Sequence, residues 1–501
     1  MDIAQLQKEQ LLDLVAQQSE RIAALEQQLR LLLSRQYGRT SETIPDEQYS
    51  LFETPEDKSE PTDEQVVEVA YTRKRRGKRL PCNDNLERQR IEHELPIEQR
   101  QCQCGGELKK IDEVITEQYE IIPARYIVIE HVQHKYACPC CEQNIQLAPK
   151  PAQPIAKANA GPGLLAQVVT AKFVDGVPLH RQEKQHARGG IDLPRNTMAR
   201  WLILLSGLVQ PLLNLLEDAI RAGPFIQCDE TPIQVLKELG RKATLLSYMW
   251  VRRGGAKGAE VVLFNYYASR SSQVACALFE DYQGYVQCDG YSAYLGLEKQ
   301  GIILVGCMAH ARRKFHAAIK GLSNKEKIHK NKAMTALTYI KRLYAIEAEI
   351  KDKTAAHRYT VRQERAVPIL NEFKQWLDSQ QVLPNSLLGK AINYSLNQWL
   401  KLIRYCEDGQ LEIDNNADER AIRPFAIGRK NFLFADTPKG AHANARFYSL
   451  IETCKLHGHE PYAYLKYIFK ELPLATTIQE YEALLPWNLD VESVRKMSRD
   501  V

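Results

Sequence analysis

Two stretches of the chain end alike: Phe-Ile-Gln-Cys-Asp at 225–229 and Tyr-Val-Gln-Cys-Asp at 285–289. Each is an apolar or aromatic run of strand character that stops on an aspartate and passes into a polar turn. Strand side chains alternate between faces. Phe225, Gln227 and Asp229 therefore share one face of their strand, and Tyr285, Gln287 and Asp289 share one face of theirs. If the two strands are neighbours, Asp229 and Asp289 meet at one edge of a sheet. Two carboxylates held close repel unless a cation lies between them, and oxygen ligands of this kind suit Mg²⁺ or Mn²⁺. The plainer role of each aspartate is to cap the turn or helix after it. The matched sequence context and matched position favour the metal.

The residues between and after the two motifs supply an order of elements. Strands are expected at 225–229, 244–252 and 260–267, a helix at 271–282 and a strand at 285–289. A short helix at 291–299, a strand at 302–307 and a helix from 308 follow. A three-strand meander followed by alternating units predicts a mixed sheet with helices on its faces, the element order of the ribonuclease-H-like fold. Residues 316–400 read as a long helical insertion. A two-metal site needs a third carboxylate, and it must come late. In "LEIDNNADERAIRPFAIGRKN" four acids compete: Glu412, Asp414, Asp418 and Glu419. The "DNN" is a helix start, and Glu419 stands four residues before Arg423. The bases Arg429, Lys430, Lys439 and Arg446 follow, a density that suits a polyanionic substrate. Surface pairing at i and i+4 explains the Glu419–Arg423 spacing equally well.

At 501 residues the chain is too long for one core. Its 44% apolar and 26% charged content is that of an ordinary globular protein. No run of ~18 apolar residues offers a membrane span, and the polar, acidic start is no secretory signal, so the expected compartment is the cytoplasm. Net charge is only +5, but the signs are segregated. Residues 41–70 hold ten acids and one base, Lys58, and "RKRRGKR" at 73–79 holds six bases in seven residues. That reads as an acidic linker beside a nucleic-acid-binding arm. Leu11, Val15, Gln18, Ile22, Leu25, Leu29 and Leu32 step by four and three, a heptad seam that implies self-association. Cys102 and Cys104, then Cys138 and Cys141, close two sections of β-rich sequence in the layout of a zinc ribbon, with Cys140 as a substitute ligand and Cys82 and His93 as distant ones. Between 161 and 220 the helices "GPGLLAQVVTAKFVDG", "PLHRQEKQHAR" and "RNTMARWLILLSGLVQPLLNLLEDAI" follow one another, the last two joined by "GGIDLP". A helix opening with Arg195 and Arg200 after a Gly-bearing turn fits a helix-turn-helix unit, and an ordinary helical bundle fits as well.

The stretches "QCDETPIQV", "CDGYSAY", "GCMAHARRKF" and "DNNADERAIRPFAIGRKNFLFA" together resemble the transposases of the insertion sequence 66 family, which are DDE transposases. The likeness extends to "RQYGRTSE", the Cys pairs and "SLIETCKLHGHEPYAYLKYIF". It implies an acid triad on Asp229, Asp289 and Glu419, with Mg²⁺ (or Mn²⁺) for DNA cleavage and joining. Arg423, Arg429, Lys430, His310, Arg312 and Arg313 would hold phosphates, and Arg195 and Arg200 would read DNA. A structural Zn²⁺ would sit on Cys102, Cys104, Cys138 and Cys141. Partners would be the element's DNA ends, target DNA, further copies of the chain and small accessory proteins of the same element, in the cytoplasm at the nucleoid. The expected organisation is multidomain α/β. A coiled-coil helix (1–36) leads through an acidic linker and basic arm (37–80) to a zinc-ribbon-like module (81–150) and a helix-turn-helix-like region (151–222). The ribonuclease-H-like core (223–315) is interrupted by the helical insertion (316–400), resumes at 401–450 and ends in a helical tail (451–501). A nuclease of the same fold that never joins, and a catalytically inactive zinc-containing DNA-binding regulator, are the competing readings.

Overall fold

The computed structural model describes residues 15–16, 18–19, 21–33, 126–137, 145–320 and 331–498. By contacts the chain divides into two units, Met1–Thr54 with His131–Val501, and Pro55–Glu130. Of the second unit only 126–130 is described, without regular structure and exposed. The acidic linker, the basic arm and Cys102, Cys104, Cys138, Cys140 and Cys141 lie outside the described residues. In the first unit, strands β1 (Lys135–Ala137) and β2 (Ile145–Leu147) form an antiparallel pair, Ala137 opposite Ile145. The three clustered cysteines at 138–141 belong to the segment that joins these strands.

An N-terminal helix covers residues 21–33, and four more helices lead into the large sheet: α1 (Pro162–Phe173), α2 (Leu179–Arg188), α3 (Arg195–Leu208) and α4 (Gln210–Arg221). Pro162 sits in the first turn of α1, where its missing N–H costs nothing. The residues expected as one helix over 195–220 are two, bent by 52° at Val209. Pro211 is the reason: it cannot donate back into α3, but it suits the first turn of a new helix. Both helices bury apolar faces, Met198, Trp201 and Leu205 on α3 and Leu212, Leu216 and Ile220 on α4. No single described helix is long and apolar enough to cross a membrane.

The large sheet is mixed. Strand β3 (Phe225–Val235) pairs antiparallel with β4 (Leu246–Gly254), which pairs antiparallel with β5 (Val261–Tyr267). On the other side of β3 run β6 (Tyr285–Gln287) and β7 (Ile303–Val305), both parallel to it, giving the order β5-β4-β3-β6-β7. Helix α5 (Ser272–Leu278) and a 3-10 segment (Ser292–Gln300) make the crossovers, and α6 (Met308–Lys320) leaves β7. The strand expected to stop at Asp229 runs six residues further, to Val235. Its extension is paired on both sides, with β4 through Gln234 and Leu246 and with β8 (Phe434–Ala435). Asp229 therefore lies mid-strand.

Residues 332–403 are helical: α7 (Lys332–Ile350), α8 (Ala355–Val361), α9 (Val367–Asp378), α10 (Leu387–Asn397) and α11 (Trp399–Ile403). With α6 they enclose a second hydrophobic cluster around Phe315, Ile340, Leu343, Phe373 and Leu377, separate from the cluster at the sheet. The chain then returns in α12 (Asn416–Phe432) and α13 (Pro438–Leu456). Phe425 of α12 and Tyr448 of α13 pack on Phe264 of β5, at 6.3 and 5.5 Å between ring centroids. Phe264 pairs with Val251, which pairs with Asp229, so α12 and α13 cover the face on which Asp229 stands. Helix α13 crosses the expected boundary at residue 450 without a break, because Ser449 and Thr453 accept from the N–H groups of Phe264 and Val262 along the edge strand. The core thus continues past 450 into the segment expected as a tail. Helix α14 (Pro461–Glu471) follows it, buried through Tyr464, Leu465 and Ile468.

Candidate active site

Strands β3 and β6 are hydrogen-bonded in parallel with Gln227 opposite Gln287. The pairing ends at the glutamines; two residues beyond them, Asp289 lies close enough to Asp229 for its charge to raise that carboxyl. Between them the paired glutamines form a ladder. The amide of Gln227 donates to Gln287 Oε1 at 2.8 Å and to the carbonyl of Asp414 at 3.0 Å. The amide of Gln287 donates to the carbonyls of Glu412 at 2.7 Å and Gly306 at 3.3 Å. Both N–H bonds of each amide are used, and both side chains are buried. Glutamate at either place would set a carboxylate against carbonyl oxygens, so the ladder requires the amide.

The ladder fixes the entry to α12. The N–H of Met308, at the start of α6, donates to Ile413 O at 3.1 Å, and that of Asn415 reaches Cys307 Sγ at 3.4 Å. Asp414 accepts from the N–H of Asn416 at 3.0 Å and from the hydroxyl of Tyr344 at 2.5 Å, so it serves the turn into the helix. Asp418 and Glu419 occupy the first turn of α12. Glu419 is bonded by the guanidinium of Arg313 and lies 3.9 Å from His310 Nδ1, both on α6. Asp418 is fully buried, and neither carboxylate oxygen has a hydrogen-bond partner among the described residues.

The electrostatics follow from this crowding. Burial and the carboxylates of Glu230, Glu419 and Asp289 push Asp229 up to about 7, although the N–H of Glu230 donates to it at 2.8 Å. Burial also raises Asp289, against the N–H of Tyr291 at 2.8 Å and the charges of Arg270, Lys314 and Arg313. Burial and the Asp229 charge hold Asp418 well above the carboxylate range. Glu230, on the opposite face of β3, is raised by burial and receives the Tyr294 hydroxyl at 2.6 Å. Burial and the charges of Arg313 and Lys314 lower His310 to about 4, so it is neutral near pH 7. Among the described residues no group of three His, Cys, Asp or Glu side chains stands arranged for a metal ion, and Glu419 faces Arg313. The donor set nevertheless fits a hard divalent cation. It is all oxygen, its carboxyls are crowded out of water where a cation would favour their ionised form, and Asp418 has two oxygens without a partner among the described residues.

The remaining expected residues are scattered. Arg312 lies over the Tyr344 ring at 5.8 Å. Arg429, at the far end of α12, donates to Thr231 Oγ1 at 3.1 Å and to Pro232 O. Arg423 and Lys430 are exposed on the same helix, and Arg195 and Arg200 are exposed on α3. Sequence reasoning passed over the ladder of Gln227 and Gln287, although the repeated glutamine was its visible signal. It also passed over Arg270, whose ion pair with Glu230 spans 3.9 Å.

Residues 157–443, more than half of the chain, match the family described as "Transposase IS66 family". Residues 449–487 match the "IS66 C-terminal element", 99–142 the "zinc-finger binding domain of transposase IS66", and 24–91 "Transposase C of IS166 homeodomain". Similar curated proteins come from Sinorhizobium fredii (strain NBRC 101917 / NGR234). "Uncharacterized protein y4jD" is 34% identical over 415 residues, 79% of this chain and 80% of the relative. "Uncharacterized protein y4qI" is 31% identical over 497 residues, 95% and 90% of the two chains. The chain belongs to the IS66 family of transposases.

Proposed function

We propose that the protein is a DDE transposase with Asp229, Asp289 and Glu419 as its acid triad. It cuts DNA at the ends of an insertion sequence and joins the freed 3′-OH to target DNA. The observation that supports this reading is the parallel pairing of β3 and β6 up to Gln227 and Gln287, with Asp289 and Glu419 both close enough to raise Asp229. The strand order β5-β4-β3-β6-β7, three antiparallel strands with two parallel ones beside the first, supports a ribonuclease-H-like core.

Asp229, Asp289 and Glu419 would hold Mg²⁺ or Mn²⁺, with Asp418 beside them. When bound, such an ion would supply Lewis acidity for an in-line displacement at phosphorus. Water is the attacking group at the element end, and the 3′-OH it frees is the attacking group at the target. Neutral His310 and the cation Arg313 flank Glu419, and Arg313 would exchange that carboxylate for a DNA phosphate. Outside the core, Cys102, Cys104, Cys138 and Cys141 would hold Zn²⁺, and Arg195 and Arg200 of α3 would contact DNA. The N-terminal heptads would pair protomers so that two element ends come together. Accessory proteins and a place at the nucleoid belong to the same reading.

The test is a cleavage and joining assay on DNA carrying the element's ends. Asp229→Asn, Asp289→Asn and Glu419→Gln each lose both steps by roughly a thousandfold or more, the scale of losing a group that acts in the transition state, while DNA binding persists. If Glu419→Gln still cuts, the third ligand is Asp418 or Asp414. If the wild type binds ends and never cuts, the regulator reading replaces this one.

A further inference from the structure

Among the described residues the Arg270 guanidinium, beside the acids, has no hydrogen-bond acceptor. Arg313 is committed to Glu419, and Arg429 to Thr231 and Pro232. Arg252, on the same face of the sheet as Glu230 and Tyr248, is committed to Glu217 at 2.6 and 2.8 Å. The Arg270 guanidinium, between β5 and α5, has no acceptor among the described residues. Its ionic neighbour, Glu230, lies at 3.9 Å, beyond hydrogen-bond reach. It is nonetheless held in place. Its guanidinium carbon is 5.3 Å from the ring centroid of Tyr248 and 4.6 Å from that of Tyr291. The Tyr291 hydroxyl donates to Arg270's own carbonyl at 3.2 Å, and the Tyr291 N–H donates to Asp289 at 2.8 Å. The stack is thereby tied to one of the acids, and Asp289 feels the Arg270 charge.

Contact with two aromatic rings restrains the plane of a guanidinium and leaves its N–H edge for a ligand. The side chain is 47% exposed, so a ligand in solvent can reach it. A restrained, planar set of donors without acceptors matches a pair of phosphate oxygens better than a lysine would. Arg313 flanks the acids at Glu419, and Arg270 flanks them at Asp289 and Glu230.

We infer that Arg270, held between Tyr248 and Tyr291, binds a phosphate of the DNA strand beside the bond that is cut. The inference rests on the proposed cleavage of DNA at these acids. The test measures binding in EDTA, where nothing is cut, to a duplex carrying an element end. Its phosphates are replaced one at a time by neutral methylphosphonates. At one position beside the cut, replacement weakens binding by the wild type and costs Arg270→Ala nothing further. Arg270→Lys keeps the charge without the planar fork, and retains part of that sensitivity. The salt dependence of binding by Arg270→Ala falls by about one phosphate contact. The inference is overturned if every methylphosphonate costs Arg270→Ala and Arg270→Lys what it costs the wild type. A wild type that binds no DNA overturns both this inference and the proposed function. Failure of the proposed function alone shows elsewhere: Asp229→Asn would go on cutting, whatever the binding cycle gives.

Discussion

Asp229 is an acid whose neighbours make its charge costly. Its folded pKa of about 7 lies above the ordinary 3.8, so between those values the folded chain holds a proton that the unfolded chain has released. For this group the sign is therefore the reverse of a salt-bridged carboxylate. Its contribution to stability is full below the unfolded value and is lost as pH rises through the window from 3.8 to about 7. In EDTA, the melting temperature of the wild type should fall relative to that of Asp229→Asn between about pH 4 and pH 7, because the amide does not titrate. Added Mg²⁺ should close the gap by binding the ionised form. Calorimetry across pH checks this, and parallel curves for the two proteins would mean that the carboxylate is ionised throughout.

At the scale of elements, the first turn of α12 is placed by what precedes it. The carbonyls of Tyr405, Asp408 and Leu411 all accept from Arg362, at 2.7, 2.9 and 2.9 Å. Arg362 is fully buried, and its other donors grip Glu347 of α7 at 2.9 and 2.6 Å. The helices at 332–403 thereby anchor the segment that carries the acid. Glu347→Ala leaves that guanidinium buried without its counter-charge and should destabilise the chain by about 3–5 kcal/mol, read as a shift of the denaturant midpoint. A loss of under about 1 kcal/mol would mean that water reaches Arg362. The meander and the two parallel strands after it are legible in the sequence because each is a short apolar run closed by turn residues. Asp229 and Asp289 are legible because the motif repeats. Other features depend on partners far along the chain. The end of β3, Gln234 and Val235, pairs with β8, some two hundred residues later. The donors of Gln227 and Gln287 find carbonyls at 412 and 414, which no local pattern announces. The engagement of Glu419 with Arg313 of α6 depends on the packing of two helices. The break between α3 and α4 was written in Pro211 and was masked by the apolar run around it.

At the scale of the whole molecule, the core covers its own apolar faces while the N-terminal helix leaves a seam uncovered. Ile22, Leu25, Leu29 and Leu32 are 57–59% exposed, although Leu31 is buried and Gln28 donates to the Asn385 carbonyl at 3.1 Å. A stripe at heptad spacing that does not meet its own chain is what a second helix would cover. Leu25→Lys combined with Leu29→Lys should lower the mass seen in sedimentation and leave the melting of the core unchanged; an unchanged mass would place self-association elsewhere. The late position of α12, β8 and α13 has a further consequence for how the protein is made. A ribosome that has released residues up to about 400 has synthesised Asp229 and Asp289 but neither Glu419 nor the helices that cover β5. A chain cut short by a premature stop or a frameshift in the insertion would carry two acids on an unfinished sheet, with Phe264 and Val262 left bare. Broken copies of the gene would then yield unfinished fragments fit for degradation, and only a chain read nearly to its end would complete the core.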